Sequence, residues 1–125
     1  MAENTFVLKL GDGSDIMDGL QELVKEKGID YGLLVSGIGR IKEFELLSTG
    51  PHGSIERMNS GDEFQLNAMS GKLLLLPSGK VNSYVRVSII KTGFTPKAGQ
   101  LIKGKASGSL EIGIRKIDLK KIIEA

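Results

Sequence analysis

Cysteine and tryptophan are absent from this 125-residue chain, histidine occurs once, and only 5% of residues are aromatic. Each shortage removes a class of chemistry. Without cysteine there is no disulfide and no thiolate metal ligand, and nothing points to an oxidising compartment. With His52 as the only histidine, a zinc site of the usual composition cannot be built within one chain. Scarce aromatics leave few platforms for base stacking. The longest apolar run, Leu73 to Pro77, is far short of a membrane span. The opening Met1–Thr5 is polar and leads into no apolar core, so no signal peptide is expected. The expectation is a soluble cytoplasmic protein with no cofactor, no metal and no membrane contact.

What is present fits a single domain. A chain of this length buries roughly two-thirds of its unfolded surface, enough for one core without staples. The formal net charge is only +2. The charge is uneven, however: between Lys91 and the C-terminus eight basic residues stand against Glu111, Asp118 and Glu124. Such a bias favours an anionic partner, or else reflects solvated faces.

Hydrophobic periodicity gives the elements. Phe6, Leu8 and Leu10 alternate with Val7 and Lys9, which predicts a first strand over Thr5–Leu10. Ser14 or Asp15 then offers an N-cap. Ile16, Met17, Leu20, Leu23 and Val24 form one apolar stripe, and Gly28 suits a left-handed C-cap. One main amphipathic helix is therefore expected over about residues 14–27. Strands are expected over Tyr31–Ser36 and Ile41–Ser48, then around Ser54–Met58, over Phe64–Ala68 and over Lys72–Leu76. The clearest alternation runs from Val81 to Ile89: Val81, Val85, Val87 and Ile89 face one way, Asn82, Tyr84, Arg86 and Ser88 the other. A loop over Thr92–Gly99, strands over Leu101–Ala106 and Leu110–Ile114, and a short C-terminal helix capped by Asp118 complete the α+β reading.

The glycine motifs do not bind nucleotide. Gly37-Ile38-Gly39 lacks the third glycine of a dinucleotide fingerprint, Lys42 standing there, and a strand follows where a helix is required. Gly37 and Gly39 read instead as a structural turn between two strands. Gly11-Asp12-Gly13 does precede a helix, but Asp12, Asp15 and Asp18 would repel a phosphate. No G-x-S-x-G elbow occurs, and no acid–base pair is evident. His52, in a Pro-His-Gly turn, is expected to be exposed. Tyr84 and Arg86 project side by side from one strand face. Arg86 cannot ligate a metal, but its guanidinium can fork onto a carboxylate or phosphate.

Over about residues 5–116 the order of motifs resembles the PPC domain ("plants and prokaryotes conserved"), with residues 117–125 as a helical extension. The resemblance is carried by Phe6-Val7-Leu8-Lys9-Leu10 with Asp15-Ile16, the helix ending near Gly28, and Val35-Ser36-Gly37-Ile38-Gly39. It continues through Gly61-Asp62-Glu63-Phe64, Met69-Ser70-Gly71, Val85-Arg86-Val87-Ser88 and Ala98-Gly99-Gln100-Leu101. It implies an antiparallel sheet with one helix, and a homotrimer. Family members typically carry a strand reading H-L-H-V-S and a later loop reading G-G-H-L, and several hold a metal with those histidines near a subunit interface. The matching positions here are Tyr84, Arg86 and Gln100, so a metal-dependent activity is not expected. The DNA-binding AT-hook of plant members has no counterpart in this sequence. Three functions follow as expectations: a trimeric binding or regulatory module for DNA; a small-anion site at the subunit interface around Tyr84, Arg86 and Gln100; and, last, a divergent enzyme built on a Tyr–Arg pair.

Overall fold

The computed structural model describes residues 4–124. Strand β1 (Thr5–Leu10) leads through a tight turn into helix α1 (Ile16–Lys27). Strands β2 (Tyr31–Thr49), β3 (Ile55–Ser60), β4 (Phe64–Leu75), β5 (Val81–Ile90) and β6 (Lys97–Lys116) follow. The sheet is antiparallel throughout, in the order β1-β6-β5-β4-β2-β3. Because β2 also pairs with β6, the four strands β6, β5, β4 and β2 close into a ring.

The helix forms where its caps require. The Asp15 carboxylate accepts from the Asp18 amide at 2.9 Å, and Gly28 ends the helix at φ 62°. Ile16, Leu20 and Val24 are fully buried against the sheet, together with Leu110, Ile112 and Ile114 of β6. Leu73, Val85 and Ile89 line the same core, and the rings of Phe44 and Phe64 meet edge to face at 5.3 Å. Each such aliphatic removes enough apolar surface from water to contribute about 1.5–3 kcal/mol.

Three expectations are corrected. Gly37 and Gly39 do not form a turn between strands; both lie inside the single long strand β2. A Cβ at Gly37 would stand 2.9 Å from the Met69 Cβ, and one at Gly39, where φ is 138°, would strike the Ser109 carbonyl. The glycines therefore allow neighbouring strands to approach, while register shifts at Leu34/Ser36 and Gly39/Arg40 bend the strand. Likewise β4 and β6 each run unbroken where two short strands were expected, and β6 begins at Lys97, inside the expected loop. Finally, the C-terminal helix is one 3₁₀ turn, Leu119–Lys121. Asp118 caps it through the Lys120 amide at 2.9 Å, but Ile122 and Ile123 remain exposed and give a longer helix nothing to pack on.

Candidate anion site on the outer sheet face

Strand β5 keeps the expected alternation. Val81, Val85, Val87 and Ile89 are buried, whereas Asn82, Tyr84 and Arg86 face outward. Arg86 Nη1 donates to the Tyr84 hydroxyl at 3.2 Å. Register places Gln100 of β6 directly opposite Arg86 on one side and Ser70 of β4 opposite it on the other. Lys72 lies opposite Tyr84. Directly opposed residues share a face with Cβ atoms about 5 Å apart, so the structure brings together all three residues singled out in the sequence and adds Ser70 and Lys72. Those two were missed because only strand pairing identifies them.

Two glycines set this arrangement. Gly71, between Ser70 and Lys72, has φ 142°, and a Cβ there would collide with the Tyr84 carbonyl. Gly99 precedes Gln100, and a Cβ there would stand 2.7 Å from the Leu47 carbonyl oxygen. Both positions let adjacent strands close up around the outward-facing cluster.

The charges separate in space. Among the described residues six ion pairs form, by Lys9, Arg40, Lys42, Arg57, Lys91 and Lys105, and none involves Arg86 or Lys72. Several of these pairs serve the fold. Asp12 Oδ1 accepts from Lys42 Nζ and from the Gly108 amide, each at 2.9 Å, tying the β1–α1 turn to β2 and β6. The Lys42 hydrogen bond, the Gly108 amide and the Lys42 charge hold the Asp12 carboxyl below its ordinary value of 3.8. The same hydrogen bond raises Lys42 above 10.5. Glu63 accepts from Arg40 and from buried Ser107, both at 2.9 Å, and Glu45 pairs with Arg57 at 3.0 Å. His52 is exposed as expected, in a left-handed conformation at φ 62°.

No three His, Asp or Glu side chains converge on a metal-holding group among the described residues. The donor set at Tyr84, Arg86 and Gln100 does not suit a cation: a cationic, donor-only guanidinium stands at its centre and would repel one. What this geometry can do is receive negative charge, with guanidinium, phenol, amide and hydroxyl groups on one wall.

A model of the Plants and Prokaryotes Conserved (PCC) domain matches residues 1–118. The chain belongs to the PCC family. No curated protein matches the sequence. Solved PCC-like structures share the fold at low identity. A plant- and prokaryote-conserved (PPC) protein of Pyrococcus horikoshii superposes with a TM-score of 0.76 at 16% identity, over 91% of this chain and 79% of that one. A metal-containing protein of Archaeoglobus fulgidus gives 0.76 at 19% identity, over 90% and 78%. A Bacteroides thetaiotaomicron protein described as a "putative dna binding protein" gives 0.79 at 20% identity, over 92% and 80%. The PCC fold thus accounts for the closed antiparallel sheet and its single helix. No helix of the described PCC chain is long and apolar enough to cross a membrane.

Proposed function

We propose that this PCC protein is a cytoplasmic, homotrimeric, non-enzymatic binding module that takes a small anion, a carboxylate or phosphate, at Tyr84, Arg86 and Gln100. The observation that carries the reading is the Arg86 guanidinium. It is exposed, steadied by Tyr84, flanked by Gln100 and Ser70, and without a carboxylate within 4.0 Å among the described residues. Arginine left without an acid on a polar wall is suited to forked, charge-assisted hydrogen bonds. The site is a single open wall, and a neighbouring subunit supplies a second.

The trimer is supported by an apolar stripe on the same outer face. Val7 and Val35 flank Gly113 and are 61% and 52% exposed; Ile38, opposite Glu111, is 69% exposed. Such a stripe along a sheet face is a contact surface in search of cover. The test is thermal stability in citrate and in phosphate. The wild type is expected to gain stability in at least one of them, and Arg86→Ala to lose that gain. Equal gains in both proteins would reject the site.

A second reading, DNA binding, is favoured by the cations gathered at the C-terminal end of the sheet and agrees with the description of the Bacteroides relative. A gel shift at low salt tests it, and absence of any complex would remove it.

A further inference from the structure

We propose that a group of cations at one end of the sheet, Lys72, Arg115, Lys116, Lys120 and Lys121, tracks the phosphate backbone of duplex DNA. The inference rests on the DNA reading above and assigns it a surface that meets the Arg86 cluster at Lys72 and runs away from it toward the C-terminal turn. Register builds the group: Lys72 of β4 lies opposite Leu33 of β2, and Leu33 lies opposite Arg115 of β6. Neighbouring strands are about 4.8 Å apart, so the roots of Lys72 and Arg115 stand about 10 Å from one another. The chain then continues through Lys116 into the 3₁₀ turn that carries Lys120 and Lys121. The segment leading into this turn is tied to the sheet, because the Ile117 amide donates to the Tyr31 carbonyl at 2.9 Å.

Arg115, Lys116, Lys120 and Lys121 line one open groove of about 940 Å³. Two acids, Asp30 and Asp118, also line it, and the Asp118 carboxylate is engaged by the Lys120 amide. None of the five cations has a carboxylate within 4.0 Å among the described residues, in contrast to the paired cations Arg40, Lys42, Lys91 and Lys105 toward the other end of the sheet. Among the described residues no aromatic side chain lines the groove, so it offers charge without a stacking platform. That combination suits a duplex backbone held by counterion release, independent of sequence.

The experiment is a fluorescence titration of a random-sequence duplex from about 50 mM to about 200 mM salt, with the wild type, the double variant Lys120→Ala/Lys121→Ala, and Lys97→Ala. Wild-type affinity is expected to fall with a log–log slope of roughly −3 to −4. The double variant is expected to bind at least about tenfold more weakly at low salt, with a slope shallower by about 2. Lys97→Ala, which removes an exposed lysine at the opposite end of β6, is expected to behave as the wild type. Unchanged affinity and slope in the double variant would overturn this surface and leave the DNA reading standing. No wild-type binding at low salt would end both. Tighter binding of a single strand would overturn the duplex assignment. Both lysines are exposed in a single turn, and a circular dichroism melt verifies that the variant is folded.

Discussion

The Asp12 carboxylate and the Lys42 ammonium meet at 2.9 Å, across the seam between the β1–α1 turn and the middle of β2. The pair gives the fold a pH signature. Asp12 has a lowered pKa in the folded chain, so its contribution is present above its ordinary 3.8 and is lost as pH falls through the folded value. Lys42 has a raised pKa, so its contribution is present below its ordinary 10.5 and is lost only as pH rises through the folded value. The melting temperature of the wild type is therefore expected to drop on acidification below about pH 4. Asp12→Asn should lower stability at neutral pH and flatten part of that acid limb. Melts recorded from about pH 7 to about pH 2 decide it: an identical acid limb in both proteins would mean the pair is not coupled to folding.

The Tyr84, Arg86 and Gln100 positions stand close enough to be converted. The triple variant Tyr84→His, Arg86→His, Gln100→His removes the guanidinium and places three imidazoles where one strand face and its directly opposed neighbour meet. It is expected to gain thermal stability with zinc, which the wild type should not. A variant that folds but shows no zinc response would mean that the strand geometry holds the three side chains too far apart.

Gly71 is expected to be intolerant of a single methyl group. Its φ of 142° and the Tyr84 carbonyl beside it leave no room for a Cβ, so alanine forces the β4–β5 ladder apart at the site. Gly71→Ala should cost on the order of 2–4 kcal/mol in chemical denaturation. Gly61, with open space around it, provides the control, and alanine there should change stability by less than about 1 kcal/mol.

The apolar stripe makes a separate prediction about assembly. Light scattering of the wild type at micromolar concentration should report a trimer. Val35→Asp and Ile38→Asp should give smaller species that retain their circular dichroism spectrum, because both side chains are already more than half exposed in the isolated chain. A wild-type monomer would contradict the trimer and the shared-wall description of the Arg86 site together.

The parts legible in the sequence were those governed by local periodicity. The β5 alternation placed Tyr84 and Arg86 outward, and the caps at Asp15 and Gly28 bounded the helix to within two residues. The role of the Gly37–Gly39 segment is not legible from the sequence, because glycine serves two purposes. It permits turns, and it also permits close strand packing, and only the neighbours (Met69 and Ser109) distinguish them. Ser70 and Lys72 were invisible as site residues because strand register is a long-range property: Ser70 meets Arg86 through the ladder, not through spacing. Gln100 entered only through family resemblance. At the C-terminus, apolar Ile122 and Ile123 suggested a packed helix, yet the sheet offers them no partner surface.

Strand β6 pairs with β1, β2 and β5, and it is the last strand among the described residues. During synthesis, every residue before Lys97 therefore emerges while three strands still lack a common partner. Those open edges, with the apolar residues behind them, are the surfaces most exposed to wrong pairing. The PCC fold thus keeps its most vulnerable interval before the final strand, and completes three ladders when that single segment arrives.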